Sequence, residues 1–426
     1  MNRAVFLDRD GTITKSDGYF YRHEQVDPID NLADSIKILN KNFLVIIITN
    51  QPVVARGLCS EDDVNRIHDK LVGDLKNEGA KIDAVYFCPH HPEQHEDVPD
   101  HAKKYRIECN CRKPKTGLVE KAAKDFSIDL SGSFFIGDST RDVQTAKNAG
   151  CVSILVKTGL AGKDGKYHAD PDYICDNLPD AVNMVEELIN VKVVILAGGK
   201  GERLRPLTLD TPKPLIKIDG KPILEHQIQN LRNCGINKIV LCTSYLSEKV
   251  KEYFGDGGNF GVKIYYPNEP EPLGSGGAVK NAWGFLEDAS YIVIMNGDSM
   301  IDENFGFRQL IKFHKNKGAF ATLLVRETDH PLDSDVLEMG EDGKITRFIG
   351  RGQDVCRTAN SGMVVSTIEL LKYVPDGNCS IEDVLLKLIG SKELYGFKMP
   401  ENWFKRDVGT VERLAAVREH FEKRFV

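Results

Sequence analysis

Apolar positions along the chain fall into two kinds of run. VFLDRDGT (5–12), LVIIITNQ (44–51), FFIGDST (134–140) and VSILVKTG (152–159) are short, continuous and rich in β-branched and aromatic residues. Such runs are the pattern of strands buried on both faces. Between them apolar residues recur at helical spacing, as in DSIKILNK and GLVEKAAKDF. Strand and helix patterns in alternation predict a parallel sheet with right-handed crossovers. LPDAVNMVEELI (178–189) predicts a closing helix, and VKVVILAGGKGERL (191–204) then starts afresh as strand, glycine-rich turn and helix. KIVLCTS (238–244), YIVIMNGD (291–298) and AFATLLVR (319–326) predict further buried strands, and no Pro- or Ser-rich linker separates the two runs. The expectation is an α/β protein of two successive three-layer αβα domains, 1–189 and 190–426.

Composition narrows the class. The 426 residues are 41% hydrophobic and 28% charged, ordinary for a globular protein, and either half is long enough to bury its own core. Lys and Arg number 56 against 63 Asp and Glu, a formal charge of −7, which argues against a nucleic-acid partner and leaves any anion site to local clusters. No apolar run reaches the ~18–20 residues that span a bilayer. The opening MNRAVFLDRDGTI carries charges inside its apolar stretch and does not read as a signal peptide, so a cytoplasmic enzyme without a membrane partner is expected.

Asp8 and Asp10 stand two apart where the first strand ends, on the same side of the chain at the carboxyl edge of the sheet. One such carboxylate can attack phosphorus while the other protonates the leaving oxygen. Asp138, after a later strand, adds a third hard oxygen donor suited to Mg²⁺. Arg112 and Lys113 can stabilise phosphoryl charge, and Thr49 and Asn50 can donate to phosphate oxygens. Cys88 and His90, followed by Cys109 and Cys111, make a Cys₃His set within the loop 88–111, fit for structural Zn²⁺ and next to Arg112 and Lys113.

DRDGT, TNQ, RKPK and GDSTRD, in that order, resemble the haloacid dehalogenase-like phosphohydrolases. The resemblance implies a Rossmann-like domain with Asp8 as nucleophile, Asp10 as acid/base, Thr49 on the phosphate, Lys113 as charge stabiliser and Asp138 on the metal. The backbone carbonyl of Asp10 would be another ligand, and Asp142 a support. C-x-H…C-x-C-R-K-P together with TNQPVVARG is similar to the heptose 1,7-bisphosphate phosphatases and their histidinol-phosphate phosphatase cousins, over about residues 1–188. In that reading Gln51 and Arg56 join Thr49, Asn50 and Arg112 in binding substrate. Two departures are Pro52, in place of a small hydroxyl residue, and Ser139, in place of a lysine.

In the second half, Gly198, Gly199 and Gly201 of LAGGKGERLRPLT let backbone N–H groups approach phosphates, with Lys200 and Arg203 adding charge. Lys213 lies between prolines, EPEPLGSGGAV (269–279) is a second glycine turn suited to close contact with a base or sugar, and Asp298 and Asp407 can converge on Mg²⁺. Together these resemble the sugar-1-phosphate nucleotidyltransferases, of GT-A-like fold, over roughly 191–426. The resemblance implies Arg203 on the triphosphate, Lys213 steadying phosphates, Asp298 and Asp407 on metal, and Gly276, Asn360, Ser361, Gly362 and Glu382 lining the nucleotide and sugar pocket. Trp283 reads as packing, and Trp403, four residues before Asp407, as nearer the pocket.

A phosphatase followed by a sugar-1-phosphate nucleotidyltransferase implies consecutive steps on one sugar phosphate. A heptose 1,7-bisphosphate fits, losing its 7-phosphate and then receiving a nucleotide at its 1-phosphate, with GTP expected from the family pairing alone. The alternatives are a histidinol-phosphate-like phosphatase joined to a mannose-1-phosphate guanylyltransferase, or a phosphatase with a regulatory nucleotide-sugar-binding half. A homo-oligomer is compatible with either.

Overall fold

A computed structural model describes residues 2–422 apart from 16–19, 94–98, 270, 304, 329–331, 333 and 351–356. The chain divides into two compact units, Met1–Glu186 and Glu187–Val426. Among the described residues no helix is long and apolar enough to cross a membrane.

The first unit is built on six parallel strands in the order Ala84–Cys88, Leu44–Asn50, Ala4–Leu7, Phe134–Gly137, Val152–Val156, Tyr173–Cys175. The first strand in sequence is thus central, and the chain winds outward from it in both directions. Where winding reverses, the connections leave to opposite faces and a crevice opens at the carboxyl edge. The register Leu7↔Ile47 and Leu7↔Ile136 brings the residues after all three strands to that edge. Continuous apolar runs form these strands because both faces are covered: Phe6, Ile46, Ile48 and Phe135 pack with Val119 and Ala122 of the helix Gly117–Phe126. The helix Thr140–Ala149 starts at a capping box, in which the Ser139 hydroxyl accepts from Asp142 N–H and the Asp142 carboxylate accepts from Ser139 N–H.

The second unit has a sheet running Lys263–Tyr265, Lys238–Cys242, Val191–Leu196, Tyr291–Asn296, Thr358–Ser366, Ala321–Glu327, Leu394–Lys398. The first four are parallel, but Thr358–Ser366 is antiparallel to both its neighbours, so this sheet is mixed where the strand–helix alternation predicts parallel. A parallel return needs a crossover, usually a helix. Here the intervening chain forms the hairpin of Val336–Met339 with Ile345–Gly350 instead. A second correction concerns the glycine loop. It follows the strand Val191–Leu196 as expected, but opens only a three-residue 3₁₀ turn, Glu202–Leu204, not an α-helix. Pro206, Pro212 and Pro214 remove the N–H donors that continuation requires. Trp403 is a third. It is buried against Phe305 and Phe397, at centroid distances of 4.8 and 5.6 Å, and belongs to the core. At the carboxyl edge a small ribbon pairs Ser299–Ile301 antiparallel with Lys405–Asp407.

Candidate functional site

In the first unit Gly11 (φ 79°) folds the chain back over Asp138, and a Cβ there would meet the Asp138 carboxylate at 2.3 Å, so the close approach demands glycine. Asp8, Asp138 and Asp142 each offer an oxygen to one cluster, all within 4.8 Å of one another. Burial, and then the charge of Asp142, push the Asp8 carboxyl up to about 6. Burial, then Asp8 and Asp142, push Asp138 up to about 8, although it accepts from Leu160 N–H at 2.7 Å. Three mutually repelling carboxylates with so little water fit a hard divalent cation, which removes the repulsion. Lys113, 3% exposed, lies 2.9 Å from Asp8 Oδ1 and 2.5 Å from Asp142 Oδ1. Burial opposes its charge, but Asp142 and Asp8 outweigh it and raise its pKa, so it remains a cation beside Asp8.

Asp10 is held by a residue that sequence reasoning passed over. Arg9 is 0% exposed and forks onto the Asp10 carboxylate through Nε (2.8 Å) and Nη2 (3.0 Å). Its Nη1 lies 3.0 Å from His68 Nε2. Burial, and then Arg9, push His68 down to about 3, so the ring is neutral and accepts that bond. Gln51 Nε2 donates to Asp10 Oδ2 at 2.8 Å and to Thr49 Oγ1 at 2.9 Å.

Asp8, Asp10, Thr49, Asn50, Arg56, Arg112, Lys113 and Asp138 line one cavity of about 420 Å³. That volume is in the range of small-molecule sites. Pro52 lines it too, without a hydroxyl to offer. Gln51 is a correction: at 1% exposure its amide is spent on Asp10 and Thr49, so it acts through them. Asn50 clamps the Lys113 backbone, accepting from its N–H at 3.0 Å and donating to its carbonyl at 3.2 Å.

Cys88, His90, Cys109 and Cys111 converge. The sulfurs lie 3.6, 3.3 and 3.2 Å apart, and His90 Nδ1 is 3.2 Å from Cys111 Sγ and 3.7 Å from Cys88 Sγ. No disulfide joins them. Zinc–sulfur bonds of ~2.3 Å at tetrahedral angles put sulfurs ~3.8 Å apart, so the donor set fits zinc after small adjustments. Arg112, next in the chain, donates from Nη1 to His90 O at 3.0 Å, which ties it to the same clip.

In the second unit the edge cluster is held by two lysines. Lys213 Nζ donates to Asp298 Oδ2. Lys405, which sequence reasoning missed, is 4% exposed and reaches Ser299 Oγ (3.0 Å), Asp407 Oδ1 (3.2 Å) and Ser361 O. Burial alone would raise the Asp407 pKa, but Lys405, Ser299 and Arg326 hold it down at about 2. Val408 N–H bonds to Asp298 O at 2.8 Å and Ser299 pairs with Asp407, so Asp298, in the turn just before its strand, stands beside Asp407. Asp407 is held ionised and Asp298 is bonded to a cation, a carboxylate pair fit for Mg²⁺. Gly362 (φ 70°) is packed so closely on Asn296 that a Cβ would lie 2.6 Å from its amide nitrogen, and the Asn360 side chain accepts from Gly362 N–H at 3.0 Å.

Of the loop glycines, Gly198 rests on Ser244, Gly201 (φ 63°) lies between Thr208 and Lys213, and Gly199 faces open space. Arg203 lies against Gly409, two residues beyond Asp407. Gly276 and Glu382 are linked through Ser275, Cys379 and Ser380. Gly276 N–H bonds to Cys379 O (2.9 Å), a Cβ there would meet Cys379 Sγ at 2.8 Å, and Glu382 accepts from Ser275 and Ser380 at 3.2 Å each. Packing against the chain at 379 therefore requires glycine at 276.

Comparison with known proteins follows the same division. The Nucleotidyl transferase family model matches residues 192–424, and the HAD-hydrolase-like model matches 110–181. A D-glycero-alpha-D-manno-heptose-1,7-bisphosphate 7-phosphatase of Burkholderia mallei is 42% identical over 158 residues, 36% of this chain and 79% of the relative. A mannose-1-phosphate guanylyltransferase catalytic subunit beta of Drosophila pseudoobscura pseudoobscura is 35% identical over 222 residues. That is 51% of this chain, which spans 59% of that relative's length. A Bacillus anthracis protein assigned as a glucose-1-phosphate thymidylyltransferase shares the fold, with TM-score 0.50 and 23% identity over 54% of this chain and 94% of its own. The chain thus belongs to the nucleotidyl transferase family through its second half and to the HAD-like heptose-bisphosphate phosphatases through its first, a phosphatase and a nucleotidyltransferase on one polypeptide.

Proposed function

We propose that the protein makes a nucleotide-activated heptose in two steps. The first unit removes the 7-phosphate of D-glycero-D-manno-heptose 1,7-bisphosphate, and the second joins the remaining 1-phosphate to GTP, giving GDP-heptose and pyrophosphate. The observation that carries the phosphatase half is the buried Lys113 bridging Asp8 and Asp142 in a cavity that also holds Asp10, Thr49 and Asp138.

Asp8 attacks phosphorus, and Asp10, aimed by Arg9 and Gln51, protonates the departing sugar oxygen. Lys113 neutralises charge on the transferring group, while Thr49 keeps its hydroxyl proton for a phosphate oxygen because it accepts from Gln51. Asp10 then takes a proton from the water that cleaves the phosphoaspartate. Asp8, Asp138 and the Asp10 carbonyl are the residues that would hold Mg²⁺, which would supply charge neutralisation and in-line orientation. In the second unit Arg203, Lys213 and the glycine loop bind the triphosphate, and the sugar phosphate attacks the α-phosphorus in line. Asp298 and Asp407 would hold a second Mg²⁺ at that phosphate. This chemistry needs positioning and charge more than covalent help.

The test is to supply the purified protein with the bisphosphate and each of the four nucleoside triphosphates. Phosphate release and a GDP-sugar are expected; a nucleotide sugar made only from another triphosphate overturns the GTP assignment, and absence of both products overturns the whole reading.

Cys88, His90, Cys109 and Cys111 would hold a structural Zn²⁺ that fixes the loop bearing Arg112 and Lys113. One zinc per chain is expected by elemental analysis. Cys111→Ser should lose it and lower phosphatase kcat/KM by roughly ten-fold or more, since the charge stabiliser loses its anchor. Full activity with no bound metal would sink the structural role.

A further inference from the structure

The phosphatase cavity has a wall that the chemistry above does not use. Arg141, Asp164 and Lys166 line it together with Leu160. The loop 159–167 is stapled to the chain just beyond Asp138 by four hydrogen bonds. Leu160 N–H bonds to Asp138 Oδ2 (2.7 Å), Gly162 N–H to Asp138 O (2.7 Å), Thr140 N–H to Asp164 Oδ1 (2.8 Å) and Tyr167 N–H to Thr140 Oγ1 (3.2 Å). The last two staples flank Arg141 and Lys166, so two cations from segments 25 positions apart are delivered to the same cavity wall.

Among the described residues neither cation has a hydrogen-bond or ion-pair partner for its charged group. Lys157 and Lys115 of this unit, by contrast, are paired, on Asp176 (2.6 Å) and Glu108 (2.9 Å). Arg112 in the same cavity is bonded to His90 O. Arg141 also stands in the first turn of the helix Thr140–Ala149, where the macrodipole disfavours a positive charge. Folding does not account for that placement, and an arriving anion does. Asp164 adds an independent sign of a ligand: its Oδ2 is buried without a partner, an acceptor that nothing in the protein uses.

We propose that Arg141 and Lys166 bind the second phosphate of a sugar bisphosphate while Asp8 attacks the first, and that Asp164 accepts from a hydroxyl of the sugar between them. This subsite rests on the phosphatase reading and deepens it. It explains why a bisphosphate is the substrate and why the phosphate that stays is kept away from Asp8. The subsite selects, and Arg141 and Lys166 take no part in bond breaking.

The test compares the full chain with Arg141→Gln, Lys166→Gln and the double variant on two substrates, heptose 1,7-bisphosphate and p-nitrophenyl phosphate. The ratio of kcat/KM for the bisphosphate to that for the aryl phosphate should fall about ten-fold per cation and ~100-fold in the double variant, mostly through KM, as loss of charge-assisted bonds dictates. Arg141→Lys should recover much of the loss. A ratio within about two-fold of the parent in the double variant overturns the subsite. So does parallel loss on both substrates, because damage to the fold does not discriminate. A parent protein that hydrolyses neither ester overturns the phosphatase reading itself, a separate outcome.

Discussion

Asp8→Asn is expected to lower phosphate release by roughly 10⁴-fold or more while leaving nucleotidyl transfer to supplied sugar 1-phosphate within about two-fold of the parent. An amide has no lone pair basic enough to attack phosphorus, yet it has the shape of the carboxylate it replaces. Lys113 keeps Asp142 as a partner at 2.5 Å, so the cation does not become an orphan and the cluster stays folded. A gain in stability should accompany the loss. The Asp8 carboxyl is pushed up to about 6 from 3.8, so its ionised form is disfavoured in the fold, a penalty fully present above pH 6 and lost as pH falls towards 3.8. Removing it relieves the metal-free protein at pH 7 by about 3 kcal/mol at most. Phosphate release and nucleotide-sugar formation are to be measured on one sample, with thermal unfolding alongside. Phosphate release surviving within about ten-fold of the parent means that Asp8 is not the nucleophile.

Asp298→Asn is expected to give the converse, a loss of pyrophosphate release of roughly 10³-fold or more with the phosphatase kept within about two-fold. Two effects combine. The site loses half of the carboxylate pair proposed to hold the metal. Lys213, 9% exposed, also loses the charge it is bonded to. Leaving one member of such a pair buried alone is more damaging than removing both, so Asp298→Asn with Lys213→Met should be better folded than the single variant, though equally inactive. Loss of both activities in a folded Asp298→Asn protein contradicts the assignment of separate chemistries to the two units.

What the sequence made legible divides along physical lines. The strands were legible because LVIIITN and FFIG are continuous apolar runs, and such runs are stable only when covered on both sides. Asp8, Asp10 and Asp138 were legible because polar residues ending such runs have one place to go, the sheet edge. Arg9 and Lys405 were not, since buried cations are rare and their partners are set by tertiary folding. Arg9 follows Asp8 directly, and its fork onto Asp10 depends on a side-chain path that strand alternation does not encode. The α-helix expected after the glycine loop failed because the prolines beyond it outweigh the glycine signal. The antiparallel strand Thr358–Ser366 was missed because its direction is decided by the hairpin before it, not by its own residues.

Lys405 has a consequence for synthesis. Its ammonium joins Ser299, Ser361 and Asp407, and Ser299 and Asp407 are 108 residues apart, so the second site stays open until Lys405 and Asp407 have left the ribosome. The first site is complete within residues 1–186. As domains fold in order of emergence, the phosphatase unit forms before the nucleotidyltransferase site closes, and a chain broken short of Lys405 keeps the first site and lacks the second.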